Sequence, residues 1–199
     1  MNALQKCCGN YTARTRRRTG VFSTWFIKPI KEKSHLNYKK FFMPTIKALY
    51  IYPIKSLGGI QLNTSNITRR GLENDRSWML VDDNNQFLTQ RTFPEMALLK
   101  TGIEKDNILV HHLQDPSDFI KVPLHPSTGS VVSVKVWDDY CEAQIADENI
   151  NDWFSAKLGV SCKAVYMMDN FERKLDPRYA IDDNNVTGFS DGYPILMVS

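Results

Sequence analysis

The chain has 199 residues, enough for one large or two small domains with a well-buried core. Its composition, 42% hydrophobic and 24% charged, is typical of globular proteins, and no apolar run approaches the roughly 18 residues that span a bilayer, which argues against a transmembrane segment. The net charge of +3 is divided unevenly, because residues 1–43 carry ten basic side chains and one acidic one, whereas the remainder is acidic. The folded part is therefore not expected to bind nucleic acid.

The basic segment, residues 1–43, has three interpretations that the sequence leaves open. It is rich in arginine and poor in acids, like an organelle transit peptide, and it lacks the apolar core of a secretory signal. It equally suits a disordered arm that contacts acidic surfaces. In the third interpretation translation starts at Met43, and the upstream residues are an extension without a fold. An intracellular location, cytoplasmic or mitochondrial, is expected, and the sequence does not choose between these two.

The first predicted strand after this segment, residues 46–52, alternates and is rich in aliphatic and aromatic side chains. Pro53 lacks an amide hydrogen and ends the strand. Lys55 and Ser56 follow directly, ahead of two glycines at 58–59. A cation, a hydroxyl and free backbone amides at a strand end can converge on one oxyanion. The stretch is therefore a candidate anion site, and the alternative is an ordinary turn with a solvated lysine.

Short strands joined by turns are predicted for most of the following chain. Residues 60–67 alternate apolar and polar side chains, as a half-buried strand does. Three hairpins are predicted from acidic or amide-rich turns between β-type runs, and they pair 76–81 with 87–91, 97–103 with 108–113, and 131–137 with 141–145. Further strands are expected at 119–124 and 160–168. Strands this close together predict a mainly β fold, an antiparallel β-barrel that is closed or nearly closed.

One or two helices are expected to interrupt the strands, and one has clear signals. Asp147 suits an N-cap and Gly159 suits the position just after the helix. The apolar side chains between them recur at helical spacing, namely Ile150, Trp153, Phe154 and Leu158. This stripe is predicted to plug one end of the barrel rather than to bind a cofactor.

The last part of the chain is predicted to be a long polar surface loop, residues 171–188, followed by an apolar strand, residues 194–199. Long loops in compact domains are often functional. An apolar strand without a closing turn or polar tail is an aggregation liability, so we expect the chain to be cut short within a following domain. The predicted organisation is thus an extension or targeting segment at 1–43, a barrel at 44–170, and a linker with the start of a second domain at 171–199.

The four cysteines give no sign of a metal site. Cys7, Cys8, Cys141 and Cys162 form no CxxC pair, and no histidine cluster stands at zinc spacing. Adjacent Cys7 and Cys8 suit neither an easy disulfide nor a structural metal. Thiols in a reducing compartment, and no metal ligands, are predicted.

Four stretches in this order resemble one protein family. They are residues 49–56 (Leu-Tyr-Ile-Tyr-Pro-Ile-Lys-Ser), 71–78 (Gly-Leu-Glu-Asn-Asp-Arg-Ser-Trp), 87–94 (Phe-Leu-Thr-Gln-Arg-Thr-Phe-Pro) and 189–194 (Phe-Ser-Asp-Gly-Tyr-Pro). Together they resemble the N-terminal β-barrel region of the MOSC-domain proteins, which include the mitochondrial amidoxime-reducing component and bacterial reductases of N-hydroxylated bases. The resemblance covers residues 44–199, and its motifs are specific jointly rather than singly.

The resemblance implies a molybdenum cofactor, Mo-molybdopterin, which is a pterin dithiolene ending in a phosphate. It implies reduction of small N-hydroxylated substrates with electrons from a redox partner protein. The family's motifs carry over to a set of cofactor-binding candidates: Lys55, Ser56, Arg76, Arg91, Asp191, Gly192 and Tyr193. A phosphate dianion suits a lysine, a guanidinium fork and a hydroxyl together. For Gly192 and Tyr193, which replace smaller hydroxyl residues of some relatives, backbone contacts alone carry over.

Simpler roles remain open for two of these candidates. Arg76 could pair with Asp75 or with another acid across a strand, and Arg91 could be a solvated hairpin residue. Three charge-assisted contacts contribute about 5 to 9 kcal/mol before ordering costs, and micromolar affinity needs about 8 kcal/mol, so weak or absent cofactor binding is expected.

In the family, the molybdenum-ligating cysteine lies in a C-terminal half. The resemblance includes only the first strand of that half and does not reach the cysteine. Neither Cys141 nor Cys162 matches that motif, so no catalytic residue is assigned. A metal centre needs its thiolate ligand, and the chain alone is therefore predicted to be inactive. The predicted function is the N-terminal part of a molybdenum-cofactor oxidoreductase. The alternative is a freestanding β-barrel binding module without redox activity.

Overall fold

The computed structural model describes residues 45–198. The predictions on residues 1–43, including a start at Met43, and the last residue of the predicted final strand lie outside this range. Within it, the strands are β1 (Leu49–Ile51), β2 (Ile60–Leu62), β3 (Ile67–Thr68), β4 (Gly71–Leu72), β5 (Trp78–Val81), β6 (Leu99–Glu104), β7 (Asn107–His112), β8 (Asp115–Pro123), β9 (Val131–Val136), β10 (Asp139–Ile145), β11 (Lys163–Met167), β12 (Arg173–Lys174) and β13 (Val186–Thr187). A 3₁₀ helix spans Pro94–Leu98, and the α-helix α1 spans Glu148–Leu158.

All the strand pairs are antiparallel, and they form five sheets. The largest sheet has the order β5-β11-β10-β9, and the next has the order β6-β7-β8. Three two-stranded sheets, β1-β2, β3-β4 and β12-β13, complete the set among the described residues. The prediction of a mainly antiparallel β fold with one or two helices is confirmed, and α1 is the one α-helix among the described residues. The ladders do not close into one continuous barrel, because the strands are short and single bridges such as Ile54 with Trp78 and Val81 with Phe87 join the sheets instead.

Two strands of the four-stranded sheet, β5 and β11, are buried on both faces, whereas β9 and β10 expose residues such as Tyr140 and Glu142. Alternate residues of a strand point to opposite faces, so Trp78 and Leu80 of β5 face one side while Met79 and Val81 face the other. Strand β11 alternates in the same way. Such continuous apolar runs mark strands that have no solvent-exposed face.

Helix α1 covers the first face. Its side chains Ile150, Phe154 and Leu158 are buried in one cluster with Trp78 and with residues of β7. Gly159 ends the helix with a left-handed φ of 65°, as the sequence predicted. Asp147 is the N-cap residue, although its side chain donates or accepts no capping hydrogen bond and its backbone carbonyl accepts from Ile150 and Asn151 instead.

The second face is covered in part by the chain that follows β13. The Phe189 side chain is fully buried there against residues such as Met79, Val136 and Val165. This contact ties residues 188–191 to the central sheet. The segment that was predicted to follow a surface loop is therefore attached to the core.

Four predictions of secondary structure differ from the structure. Residues 60–67 do not form one strand but contain β2 and the start of β3, with a bend between them. Residues 87–91 form a single bridge and a turn rather than a strand. Leu88 N donates to Leu80 O, and the chain then turns because Thr89 O accepts hydrogen bonds from the backbone nitrogens of residues 92 and 93. Residues 194–198 form no strand, because no described segment pairs with them and a strand exists through its ladder. The predicted loop 171–188 contains β12 and β13 and the buried Arg173. Residues 45–198 include no helix that is long and apolar enough to cross a bilayer.

Candidate functional site

The segment after β1 runs beside the start of β5 and brings Lys55 into the domain. Trp78 donates from its backbone nitrogen to Pro53 O at 3.0 Å, and Lys55 donates from its backbone nitrogen to Trp78 O at 2.8 Å. Ile54, between these two residues, is fully buried. The apolar pattern on both sides of Lys55 thus pulls this lysine under the surface.

The Lys55 ammonium is buried and paired. The residue is 5% exposed, and its Nζ donates to Phe189 O at 2.8 Å and to Asp191 Oδ1 at 2.6 Å. Burial lowers the pKa of Lys55, and the hydrogen bond and charge of Asp191 oppose that shift. The two contacts connect the strand end at residue 55 to the segment that follows β13.

Arg76 is joined to the same segment through its backbone. Its nitrogen donates to Tyr52 O at 2.8 Å, and its carbonyl accepts from Phe189 N at 2.9 Å. A Cβ at Gly188 would lie 2.9 Å from Arg76 O, so this close approach requires glycine. The backbone of Arg76 has a left-handed φ of 49°, which directs its side chain out of the adjoining strand.

The Arg76 guanidinium pairs with its neighbour Asp75, which is the simpler role left open by the sequence. Nη1 lies 2.5 Å from Asp75 Oδ2, and the guanidinium carbon lies 5.5 Å from the centre of the Tyr52 ring. Asp75 Oδ1 accepts from Tyr52 N at 2.7 Å. Burial raises the pKa of Asp75, and the bonds from Tyr52 and Arg76 oppose that shift. The Arg76 side chain remains 23% exposed.

Arg173 is a buried cation that the sequence analysis did not select. Its Nη1 donates to Gly188 O at 3.0 Å and to Ser190 O at 2.6 Å, and its Nε donates to Asp139 Oδ2 at 2.8 Å. Arg173 and Lys55 therefore bind three consecutive carbonyls, those of residues 188–190. The charge-assisted bonds fix this segment more firmly than neutral hydrogen bonds do.

An aromatic rim borders the Lys55–Asp191 pair. Trp137 donates from Nε1 to Asp191 Oδ1 at 3.1 Å, and its ring packs edge-on against Phe87 with centroids 4.9 Å apart. The Arg91 guanidinium carbon is 5.7 Å from the Trp137 ring centre, and Lys55 Nζ is 5.4 Å from that of Phe87. Arg91 is exposed and joins the site through this rim.

The other candidates are placed less centrally. Ser56 has a left-handed φ of 66°, and its carbonyl accepts from Gln90 Nε2 at 2.8 Å. Gly192 is exposed, and the Tyr193 ring lies at the surface, 6.4 Å from the ring of Tyr179. The structure thus brings Lys55, Arg76 and Asp191 together and leaves these three residues at the edge.

The prediction of free backbone amides after Lys55 is wrong. Leu57 N donates to Ile54 O at 3.1 Å, and Gly58 N donates to Leu99 O at 2.9 Å. These amides are used within the fold because the turn closes on itself and docks against the start of β6. An anion at this strand end would depend on side chains.

The sequence analysis missed Trp137, Phe87 and Arg173. A signal existed for Trp137, since a large aromatic residue is unusual in a turn as short as the one between β9 and β10. Arg173 lies in a polar stretch whose composition predicted a loop, so nothing in its local sequence marked it as buried.

Neither Cys141 nor Cys162 belongs to the site. Both are buried in apolar clusters, and burial raises the pKa of Cys141 to about 11. Among residues 45–198 no group of three or more histidine, cysteine or acidic side chains is arranged to hold a metal ion.

Comparison with known proteins identifies the family. Residues 43–161 match the model of the MOSC N-terminal beta barrel domain. The chain belongs to this family. Lys55, Arg76 and Arg91 lie inside the matched range of this MOSC N-terminal domain, whereas residues 188–191, which complete the site, lie beyond it.

The curated relatives carry the name molybdenum cofactor sulfurase. Molybdenum cofactor sulfurase 2 of Culex quinquefasciatus is 32% identical over 131 residues, covering 63% of this chain and 17% of that protein. The molybdenum cofactor sulfurases of Drosophila grimshawi and Oryza sativa subsp. japonica are each 30% identical, covering 59% and 60% of this chain and 16% and 15% of their own lengths. The MOSC N-terminal domain is thus homologous to a small part of proteins named for the molybdenum cofactor.

Among solved structures, the solution structure of a protein from Bordetella bronchiseptica is similar with a TM-score of 0.41 and 15% identity. The similarity covers 54% of this chain and 90% of that one.

Proposed function

We propose that this MOSC N-terminal domain binds the phosphate and pterin of the molybdenum cofactor through Lys55, Ser56, Arg76, Arg91 and the backbone of residues 191–193. The observation that carries the proposal is the convergence of Lys55 and Arg76 on residues 188–191. These cations come from two separate motifs: the Lys55 ammonium binds Asp191, and the Arg76 backbone carbonyl accepts from Phe189 N while its guanidinium pairs with Asp75. A buried cation whose pKa is shifted by burial and by a specific charge partner, as that of Lys55 is, marks a candidate functional site.

The residues present fit a phosphate group. Arg76 directs one of its five N–H groups to Asp75 and keeps part of its guanidinium at the surface, where it can form a planar fork with two phosphate oxygens. Arg91 is exposed, and its guanidinium lies near the Trp137 ring. When bound, the cofactor supplies the redox chemistry, and the side chains of this domain bind and orient it.

The finer proposal is that the domain serves a reductase of N-hydroxylated substrates, which receives electrons from a redox partner protein. The motif at residues 49–56 and the motif at residues 71–78 support this assignment. The domain would act together with a segment that supplies the thiolate ligand, because Cys141 and Cys162 are both buried in apolar clusters. The chain alone should therefore bind cofactor weakly and show no reductase activity.

Pterin binding tests the proposal directly. The full chain is dialysed against extracted cofactor, and the bound pterin is measured by fluorescence after oxidation. Arg76→Ala should reduce binding about tenfold or more, since one charge-assisted contact contributes about 1.5 to 3 kcal/mol. The matched control is Lys121→Ala, which removes a cation from an exposed ion pair with Glu104. Equal binding by wild type and Arg76→Ala would rule out the proposed site.

The names of the relatives favour a second candidate, in which the domain belongs to a protein that modifies the cofactor rather than one that reduces substrates. The same phosphate site would serve either role. If the chain, supplied with a cofactor-loaded thiolate segment, reduces no N-hydroxylated substrate yet still binds pterin, this candidate replaces the reductase.

The pairing of Lys55 within the fold favours a third candidate, a freestanding binding module without redox activity. Phe189 O and Asp191 satisfy two donors of the ammonium without any ligand. A stable, monomeric, pterin-free chain that gains no thermal stability from added cofactor would support this module.

A further inference from the structure

A single carboxylate oxygen, Oδ1 of Asp191, occupies a point where two donors converge. Lys55 Nζ lies 2.6 Å from this oxygen, and Trp137 Nε1 lies 3.1 Å from it. The ammonium and the indole come from distant parts of the sequence and point at the same atom. Donors that converge in this way define the position of an oxyanion.

The two members of the ion pair are held very differently. The Lys55 side chain is 6% exposed, whereas the Asp191 side chain is 71% exposed. Lys55 Nζ would keep its bond to Phe189 O if the carboxylate moved away. A carboxylate at the surface can rotate into water at small cost, but a buried ammonium cannot. The cation is therefore fixed and the anion is replaceable.

Trp137 is held in its position by a strained backbone. It is the first of the two residues between β9 and β10, and its φ is 55°. A bulky residue in this region costs about 1 to 3 kcal/mol, and glycine is favoured at such a position of a two-residue hairpin loop. The edge of Phe87 packs against the ring. Strain retained at a turn indicates that the indole donor is positioned for a task.

The surrounding charge favours an anion with more than one negative charge. Arg76 contributes its positive charge to the environment of both Lys55 and Asp191, and Arg91 lies against the outer side of the Trp137 ring. Asp191, with a single charge, already pairs with Lys55. A monoanion would be attracted to Lys55 no more strongly than this carboxylate is. A dianion would be attracted more strongly, because its second charge can also interact with Arg76.

We propose that Asp191 Oδ1 marks the binding position of a phosphoryl oxygen. Lys55 and Trp137 donate to that oxygen, and Asp191 swings out when a phosphate dianion binds. Asp191 thereby excludes monoanions from the site, and Trp137 becomes a binding residue that none of the motifs includes. This inference rests on the proposed function, since it deepens the assignment of phosphate to Lys55.

The test is calorimetric titration of the full chain with inorganic phosphate, phenyl phosphate and acetate, at a pH where phosphate is largely a dianion. Asp191→Asn keeps the shape of the side chain but removes the competing charge, so phosphate should bind about tenfold tighter. Acetate, which should not bind the wild type, should bind this variant. Trp137→Phe should weaken phosphate binding several-fold. The matched control is Glu104→Gln, which removes an exposed carboxylate beside Lys121 and should change nothing.

Each outcome decides between the claims. Phosphate binding that is equal in wild type and Asp191→Asn would overturn the inference and leave phosphate binding through Arg76 in place. The absence of phosphate binding in both proteins would overturn the proposed function together with the inference. If Asp191→Asn does not fold, Trp137→Phe decides, because unchanged phosphate affinity in that variant contradicts the role of the indole. Binding of both phosphate probes supports the phosphoryl site. Tighter binding of phenyl phosphate identifies a phosphate monoester as the ligand, and tighter binding of inorganic phosphate identifies free phosphate.

Discussion

The core beneath α1 and the segment of residues 188–190 are both buried, but different forces hold them. In the core, Phe154 of α1 packs with Trp78 and Leu158 in a large apolar cluster. In the segment, Lys55 and Arg173 bind three consecutive carbonyl oxygens. Apolar packing in the core is non-directional and tolerates small shifts of the side chains. The hydrogen bonds to the segment are directional, so each donor must meet its acceptor.

This difference indicates how each part of the domain responds to a substitution. A core held by apolar contact loses stability in proportion to the volume removed. A segment held by buried charges keeps its position until one cation is lost, and then its carbonyls are left without partners. The candidate site is built on the second kind of support, because its acidic residue Asp191 directly follows the fixed carbonyls.

The largest effect is expected in the core. Phe154→Ala should lower the free energy of unfolding by about 3 to 5 kcal/mol, because it removes a fully buried ring and leaves a cavity. Denaturant unfolding of the full chain measures the change. Ala156→Gly, at an exposed position of the same helix, is the control and should cost about 1 kcal/mol. A loss for Phe154→Ala no greater than that of the control would contradict the packing described for α1.

A smaller loss is expected in the segment. Arg173→Met keeps the apolar stem but removes the donors to Gly188 O and Ser190 O, and it should cost about 2 to 4 kcal/mol. Amide hydrogen exchange around residues 186–191 should accelerate more than exchange in α1. Arg69→Met, which breaks an exposed pair with Glu172, is the control and should cost less than about 1 kcal/mol. Uniform acceleration across the domain would show that the segment has no separate support.

A glycine next to each region sharpens the comparison further. Gly159→Ala should cost about 1 kcal/mol, because its φ of 65° is unfavourable for a residue with a Cβ. Gly192→Ala should be nearly neutral, because no atom lies within 4 Å of the added Cβ and the backbone is not in the left-handed region. Thermal unfolding of the two variants gives the difference. An equal loss in both would mean that residue 192 is more constrained than the structure indicates.

The smallest effect is the pH dependence of the Lys55–Asp191 pair. Burial acts to raise the pKa of Asp191, but the hydrogen bond and charge of Lys55, together with the hydrogen bond of Trp137 and the charge of Arg76, hold this pKa below its ordinary value of 3.8. A carboxyl whose pKa is lower in the folded state contributes stability above that ordinary value and loses it as pH falls through the lowered pKa. Denaturant midpoints of wild type and Asp191→Asn should therefore differ near neutral pH and converge in acid. A constant difference at all pH values would remove the ion pair as its cause.

Local patterns predicted the parts of the fold that depend on local physics. The alternation in β9 and β10 predicted their hairpin, and the stripe from Ile150 to Leu158 with Gly159 predicted α1 and its end. They did not predict whether residues 87–91 or 194–198 pair, because pairing depends on a neighbour that the local sequence does not specify.

The residues of the candidate site also fall into two groups, those that local motifs predicted and those that only long-range contacts revealed. The motifs selected Lys55 and Arg76, and the structure brings both to residues 188–191. Trp137 and Phe87 were missed because the relevance of Trp137 comes from its contact with Asp191, and that of Phe87 from its contact with Trp137, each across fifty or more residues of sequence. The cofactor-binding role of all seven candidates stays a prediction, as do the electron donor and the N-hydroxylated substrate; the candidates are Lys55, Ser56, Arg76, Arg91, Asp191, Gly192 and Tyr193.

The sequence by itself determined that this protein is a mainly antiparallel β protein with one apolar helix and that it carries the motifs of a MOSC N-terminal domain. Side-chain periodicity and turn residues act over a few positions, so they can be recognised without the fold. Only the tertiary structure decided that Lys55 is buried, that Asp191 supplies its counter-charge and that Arg173 holds the adjoining carbonyls. Burial and charge pairing depend on which distant segments meet in space, and the packing of the whole domain determines those meetings.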